Sequence, residues 1–434
     1  MRLVLTSLAI LVIGVTCALA AQPPAPAKPT RDDVLLLLKK AEEEARAIPP
    51  DPQKEPALRS RLSALSLVAC GYAMAGDVDK AKAFVAEFPP ESRNGHLLSV
   101  AIVLAQTGDF KKAVELIKPG DNSWGLVLIV RVVAQTDVPE ALKLAADLPE
   151  PARSSALAEI VLQQVMNGDV DGAALTAKGM APDKTPSPEA KDDEEDHPKA
   201  EADRWVAAGR LALDESGPGN APQDEGMAGH LSAIAKNWAK AGKLAVARRI
   251  LKSVTDPGDR SGIYVAMAEY QLTHGSKEEY QQTLDLAMKE AAGIKGENTG
   301  EFYRAVRYTA IAHLQVKTGD FDAAVKTITL ARGAGEREEL GVFKAMGGDA
   351  VLVGLLVEAG QMDEAMKKAA DKDGRIQPQL VTMLAGAYAA EGNMPKVAEL
   401  VQSANPGYDR VAAYYTAVHF ALKAMKSAAT QPKP

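Results

Sequence analysis

A short turn phrase recurs along this chain of 434 residues and constrains its fold more than any other feature. Gly76-Asp77 and Gly108-Asp109 stand 32 residues apart, and similar phrases continue as far as Gly392-Asn393. Glycine accepts the left-handed backbone that ends one helix and lets the next helix run back against it. The nine turn residues are Gly76, Gly108, Thr136, Gly168, Gly242, Gly275, Gly319, Gly360 and Gly392. Their spacing predicts a series of helix hairpins, and therefore an all-α protein.

Apolar and small residues keep fixed distances from these turns. A large apolar residue stands eight positions before each turn, and alanine stands five positions after seven of them. The apolar residues are Val68, Val100, Leu128, Ile160, Ile234, Met267, Ile311, Leu352 and Leu384. The alanines are Ala81, Ala113, Ala141, Ala173, Ala247, Ala324 and Ala365. Such spacing is helical, so we expect each unit to pack two helices closely through its small residues.

This pattern resembles the tetratricopeptide repeat, whose period is about 34 residues. The small residue seven before the turn, the Gly-Asp turn and the alanine five after it match that repeat, whereas its large aromatics and closing proline are mostly absent. The intervals from Gly275 to Gly319 and from Gly319 to Gly360, 44 and 41 residues, are longer than the repeat. The resemblance covers about residues 60 to 405. It implies a right-handed, tetratricopeptide-like (TPR-like) solenoid of about nine repeats, of an exported bacterial type.

Single helices are predicted before and after the repeats. Thr30 is an N-cap residue before an apolar run that reaches about Ala47, and a helix from Asp409 to about Met425 follows the last unit. We expect these helices to cap the open ends of the solenoid. The predicted segments are a signal peptide (1–20), a flexible tail (21–29), an N-terminal array (30–180), an acidic, Pro-rich insertion with one short helix (181–226), a C-terminal array with its capping helix (227–426) and a second tail (427–434).

The start of the chain indicates export. Met1-Arg2 precedes a short apolar run, and Ala18-Leu19-Ala20 has the small-x-small spacing that a signal peptidase cleaves. We therefore expect a periplasmic or secreted protein with no membrane span after cleavage, although an uncleaved signal would anchor it to the membrane. Cys70 would be the only cysteine of the mature chain, and its helical setting favours a buried, inert thiol.

Composition and motifs exclude several classes of function. The net charge of −7 and the pI near 5.6 argue against nucleic acid as a partner. The six histidines are scattered, and no nucleophile elbow, P-loop or dinucleotide fingerprint is present. The sequence therefore predicts no catalytic residue, no cofactor and no metal site.

The candidate binding residues follow from the resemblance, which implies that the first helices of the hairpins line a concave groove. The positions six and two residues before the turn would face that groove, and we call them the groove positions. The position six before the turn is apolar in the early units, and both positions are polar in three later units, where Tyr264 and Tyr270 lie nearby. The polar pairs are Lys236 with Lys240, Glu269 with Thr273, and His313 with Lys317. Aromatics beside mixed charge are typical of peptide-binding surfaces, but tyrosines at helical spacing also pack in cores.

An arginine recurs fifteen residues before five of the turns. The five are Arg61, Arg93, Arg153, Arg260 and Arg304. They could form a ligand-binding ladder, but their constant distance from the core positions favours a repeated structural contact.

Three hypotheses of function remain open at this point. The first is a non-catalytic protein- or peptide-binding scaffold of the cell envelope that uses the concave groove. The second is an enzyme or accessory subunit of an envelope polysaccharide-processing system, and the third is a structural spacer. The sequence leaves the partner's identity and the oligomeric state open.

Overall fold

The structure is a computed structural model that describes residues 28–49, 55–117, 123–181, 198–214, 225–296, 299–333 and 348–430. Within these ranges the chain forms 21 α-helices and no β-strand, so the all-α prediction is confirmed. The predicted signal peptide, most of the tail after it and most of the acidic insertion lie outside the described residues.

The helices follow one another with short connections at the predicted turns. They are α1 (Arg31–Ala47), α2 (Glu55–Met74), α3 (Val78–Ala86), α4 (Pro90–Gln106), α5 (Phe110–Leu116), α6 (Ser123–Ala134), α7 (Val138–Ala146), α8 (Ala152–Asn167), α9 (Val170–Lys178), α10 (Pro198–Leu213), α11 (Glu225–Lys240), α12 (Leu244–Leu251), α13 (Pro257–His274), α14 (Lys277–Gly293), α15 (Thr299–Lys317), α16 (Phe321–Gly333), α17 (Gly348–Glu358), α18 (Met362–Ala369), α19 (Pro378–Ala390), α20 (Met394–Ser403) and α21 (Tyr408–Thr430). Each predicted turn lies between two helices that pack against each other.

The Gly-Asp phrase ends one helix and begins the next. Gly76 has a φ of +87°, and the N–H of Asp77 donates to the carbonyl of Tyr72, which satisfies the end of α2. The side chain of Asp77 then accepts a hydrogen bond from the N–H of Lys80 and so caps α3. Asp109 caps α5 in the same way after Gly108, which explains why the two residues recur together.

Two turns depart from this geometry. The N–H of Asp137 bonds to the carbonyl of Val133, four residues back, because Thr136 does not supply the left-handed glycine of the other turns. The core-facing residues of α6 are therefore shifted by one position along the sequence, relative to the turn, compared with the other first helices. Leu128, expected in the core, is 39% exposed, and Ile129 is buried in its place. Gly275 is extended, with a φ of −107°, so its turn does not need glycine for the backbone angle.

The seven alanines five residues after the turns are all fully buried, as predicted. They face the first helix of their own hairpin, where a larger side chain would push the two helices apart. The apolar residues eight before the turns are also buried, with the exception of Leu128. The hairpin core is thus set by the repeat itself.

The recurrent arginines hold the connections between hairpins. Arg93 donates to the carbonyl of Phe88 at 2.7 Å, and Arg260 donates to those of Leu251 and Val254 at 2.9 and 3.1 Å. Arg61 and Arg304 bond in the same way to carbonyls at the ends of α1 and α14, whereas Arg153 bonds to Glu150. The structural interpretation is confirmed for these residues, since each binds groups of the chain itself.

The first helices of successive hairpins pack side by side along the whole array. Helix α10 lies against α8, α9 and α11, yet it does not separate the two halves. Trp238 on α11 donates its indole N–H to the carbonyl of Val165 on α8 at 3.0 Å, and the Asn237 amide donates to the carbonyl of Met166 at 2.8 Å. The predicted N-terminal and C-terminal arrays are therefore in direct contact across the insertion.

The last helix packs against the first two, an arrangement that the sequence did not predict. Helix α21 lies on α19 and also on α1 and α2, and Arg410 Nη1 lies 3.2 Å from Glu44 Oε1. One continuous hydrophobic core joins the N-terminal residues to those of α17 to α21. The two predicted capping helices thus pack against each other. The first and last helices of the described chain are therefore in direct contact. Helix α21 also extends to Thr430, into the residues predicted to be a tail.

Cys70 lies inside this junction of the chain ends. Its thiol is buried, as predicted, and burial raises its pKa to about 12. None of the helices in the described ranges combines the length and the apolar character needed to cross a membrane.

Candidate functional site

Three of the predicted groove residues meet on neighbouring first helices. Glu269 on α13 lies between Lys240 on α11, whose Nζ is 3.0 Å from Glu269 Oε2, and Lys317 on α15, whose Nζ is 3.8 Å from Oε1. Lys240 is the most exposed of the three, at 56% of its side chain. The carboxylate therefore joins three helices through their groove positions.

The protonation of Glu269 follows from this position. Burial alone would raise its pKa, but the hydrogen bond from Lys240 and the positive charges of Lys240, Lys317 and His313 outweigh burial and hold the pKa below its usual value. Glu269 is thus a carboxylate at neutral pH.

Lys236 lies one helical turn before Lys240 on α11 and is also held by an ion pair. Its Nζ lies 2.6 Å from Asp259 Oδ1 on α13. Gly262 lies between Lys236 and Arg307, because a Cβ added there would meet Lys236 Cε at 2.8 Å and Arg307 Cζ at 3.1 Å. Arg307 Nε donates to the carbonyl of Gly258 at 2.8 Å. Burial lowers the pKa of Arg307, and the charges of Asp259 and Asp256 only partly oppose it.

His313 contacts the next first helix rather than the lysines. Its Nδ1 lies 2.6 Å from Glu358 Oε2 on α17, at ion-pair distance but without the alignment of a hydrogen bond. The pair carries full opposite charges only when the imidazole is protonated. His313 therefore extends the charged surface from α15 to α17.

The remaining predicted residues lie beside these charges. The ring of Tyr270 stacks on His274 with centroids 4.3 Å apart, and it fills the space over Gly242, where a Cβ would meet the ring at 2.7 Å. Thr273 donates to the carbonyl of Tyr270 and contacts His274. Tyr264 is half-buried against the hydrophobic core. The two tyrosines are thus mainly packing residues, whereas Thr273 is exposed.

The equivalent positions of the earlier hairpins are apolar. Cys70 and Val130 are buried, and Ile102 and Leu162 are half-buried. One ion pair crosses this part of the surface, between Arg131 on α6 and Glu159 on α8, at 3.6 Å. Two of these four apolar side chains are therefore buried, and one ion pair lies beside them.

Sequence reasoning missed three members of the charged surface. Glu358 stands two residues before Gly360, at the same groove position as Lys240 and Lys317, so the pattern already contained it. Asp259 and Arg307 do not occupy groove positions, and only the packing of α13 between α11 and α15 brings them to Lys236 and Gly262. We call the full set the charged cluster: Lys236, Lys240, Asp259, Glu269, Arg307, His313, Lys317 and Glu358.

The charged cluster places opposite charges on neighbouring first helices. Its cations and carboxylates alternate across four helices and remain partly exposed, so they can contact a partner's charged groups. Within the described ranges, no group of three His, Cys, Asp or Glu side chains is placed to hold a metal ion. A shallow depression lies elsewhere, between α1 and α21, and is lined by Lys40, Glu43, Glu44, Ala47, Gln402 and Tyr414.

No protein-family model matches the chain, and no curated protein matches it significantly.

Proposed function

We propose that this protein is a non-catalytic scaffold of the cell envelope that binds a protein or peptide partner on the surface that carries the charged cluster. The supporting observation is the charged cluster itself. Four consecutive first helices present partly exposed cations and carboxylates on one continuous surface, next to an apolar stretch on α4 to α8. Mixed charge beside apolar surface is what protein partners recognise.

The proposal includes a finer description of the fold. The hairpins would form a right-handed, TPR-like solenoid of about nine repeats, and the first helices would line its concave side. The contacts among first helices and the buried alanines support this description. The signal-like start of the sequence supports export to the periplasm or the cell exterior.

One observation favours the structural-spacer alternative. Lys240, Glu269 and Lys317 pair with each other, so they could simply hold neighbouring helices together. Each surface ion pair contributes only about 0–1 kcal/mol to stability. A stabilising role alone therefore explains this concentration of charge poorly. We therefore favour recognition over a purely structural role.

A charge-reversing substitution distinguishes the scaffold role from the spacer role. Lys240→Glu changes the most exposed member of the charged cluster, and Lys326→Glu makes the same change at an exposed position of the second helix α16. Each variant and the wild type would be crosslinked to envelope proteins in the producing cells, and the adducts identified by mass spectrometry.

The scaffold role predicts a specific adduct that Lys240→Glu abolishes and Lys326→Glu retains, while both variants remain folded. Loss of stability in Lys240→Glu with no change of adducts would favour the spacer. Absence of any specific adduct from the wild type would contradict the scaffold role.

A further inference from the structure

Three of the connecting arginines show how a first helix is joined to the second helix before it. Each arginine lies near the start of a first helix and donates to the carbonyl of a buried apolar residue just after the preceding second helix. The pairs are Arg93 with Phe88, Arg260 with Val254, and Arg304 with Ile294. This contact therefore identifies which helix is a first helix and which is a second one.

The same contact identifies the places of the first and last described helices. Arg61 on α2 donates to the carbonyl of Ile48, the buried residue that follows α1. Helix α1 therefore holds the place of a second helix before α2. Arg410 on α21 donates to the carbonyl of Ala404, the buried residue that follows α20, so α21 holds the place of a first helix. Within the described residues, α1 has no first helix before it and α21 has no second helix after it.

Helices α21 and α1 pack together as the two helices of a hairpin do. In the hairpin of α13 and α14, Arg260 near the start of the first helix lies 2.9 Å from Glu290, four residues before the buried residue that follows the second helix. Between α21 and α1, Arg410 lies 3.2 Å from Glu44, again four residues before the buried residue that follows α1. The start of α21 thus meets the end of α1, as in an antiparallel helix pair.

The two helices also meet over the middle of α2, beside Cys70. A Cβ added at Gly71 would meet Leu38 Cδ2 of α1 at 2.5 Å and would lie 3.8 Å from Tyr415 Cδ2 of α21. Burial and the charge that Cys70 can carry both raise the pKa of the Tyr415 hydroxyl, so the thiol and the hydroxyl are neighbours. The buried thiol of Cys70 therefore lies at the junction of all three helices.

We propose that α21 and α1 form one further hairpin, contributed in halves by the two ends of the described chain, and that this hairpin is a clasp that closes over Cys70. The pair of Arg410 and Glu44 joins residues 366 positions apart and fastens the clasp. The pair of Arg260 and Glu290 does the same within the hairpin of α13 and α14. The clasp contains no member of the charged cluster, so it does not depend on the scaffold role.

The reactivity of Cys70 measures how often the clasp opens, because a buried thiol reacts only after a local opening. The complete protein would be treated with iodoacetamide under native conditions at constant pH, and the label on Cys70 followed over time by mass spectrometry. Glu44→Arg and Arg410→Glu each place like charges in the clasp, and the double variant restores opposite charges. Glu290→Arg is the matched control, because it makes the same reversal against Arg260.

We expect Glu44→Arg and Arg410→Glu each to accelerate the labelling of Cys70 by about 10-fold or more, because each breaks a hydrogen bond between charged groups. The double variant should react more slowly than Arg410→Glu alone, and Glu290→Arg should react at nearly the wild-type rate. Circular dichroism would verify folding, and Glu44→Gln with Glu290→Gln repeats the comparison by milder changes if a reversal prevents folding.

Two results would overturn the clasp. Equal acceleration by Glu44→Arg and Glu290→Arg would show that Cys70 reports a general loss of stability. A double variant that reacts as fast as Arg410→Glu would show that the two charges do not meet.

Discussion

Helices α2 to α8 and helices α11 to α17 share one hairpin design but present different side chains at equivalent positions. Six residues before the turns, the first set carries Cys70, Ile102, Val130 and Leu162, and the second set carries Lys236, Glu269, His313 and Gly354. The buried alanines and the turns are alike in both sets. The comparison shows that the same hairpin design accepts apolar side chains at these positions in one set and mostly charged side chains in the other.

The largest expected effect tests whether the two sets share one hairpin design. Ala113→Leu in α5 and Ala247→Leu in α12 each force a larger side chain into a fully buried site. We expect both to reduce the free energy of unfolding by about 2–3 kcal/mol, because overpacking displaces the paired helix. Equilibrium urea unfolding measures both. A large effect in one set and almost none in the other would contradict the claim of a common hairpin design.

The contribution of the connecting arginines to stability should differ between the two sets. Arg260, in the charged set, donates to two carbonyls and lies 2.9 Å from Glu290, whereas Arg93, in the apolar set, donates to one carbonyl. Replacement by alanine should therefore cost about 2 kcal/mol at Arg260 and about 1 kcal/mol at Arg93. Thermal and urea unfolding of the two variants give the difference. Equal costs would show that the additional contacts of Arg260 contribute nothing.

Salt should change the destabilisation caused by a substitution in the charged set but not in the apolar set, and this effect is smaller than the two above. Glu269→Gln removes the carboxylate that joins α11, α13 and α15, and should destabilise the protein by about 1 kcal/mol at low ionic strength. Ile102→Ala removes apolar contact at a groove position of α4 and should cost a similar amount. One molar sodium chloride should reduce the first cost and leave the second unchanged, since salt screens charge but not apolar burial. Equal salt responses would contradict the distinction.

The smallest expected effect is the pH dependence of Glu269. Its pKa in the folded protein lies below the ordinary value of 4.5, so the carboxylate stabilises the fold above that pH. This contribution is lost as the pH falls below 4.5 and through the lowered folded-state pKa. The difference in unfolding free energy between wild type and Glu269→Gln should therefore be constant from pH 6 to pH 7 and decline in acid. A difference that grows in acid would contradict the assignment.

Much of the hairpin could be predicted from the sequence because its determinants are local. The glycine turn, the capping aspartate and the alanine all act within one hairpin, and each recurs often enough to be recognised. Thr136 was aligned correctly as a turn, but the sequence did not show that a non-glycine turn displaces α6 and exposes Leu128.

Features that depend on distant parts of the chain could not be predicted. The pairing of Glu44 with Arg410 joins residues 366 positions apart, and no repeat pattern indicates it. Arg410 bonds to carbonyls at the end of α20 as the other connecting arginines do, but no turn follows it that would reveal the match. In the candidate site, the lysines and Glu269 were predicted from the repeat, whereas Asp259 and Arg307 required the packing of α13 between its neighbours.

Site-specific photocrosslinking tests the central claim most directly. A photoreactive amino acid at Thr273 places the probe on an exposed position within the charged surface, and the same residue at Thr329 places it on the exposed second helix α16. Irradiation of producing cells should give a discrete adduct with one envelope protein from position 273 and none from position 329. The same adduct from both positions, or none from position 273, would contradict the claim that this surface binds a partner.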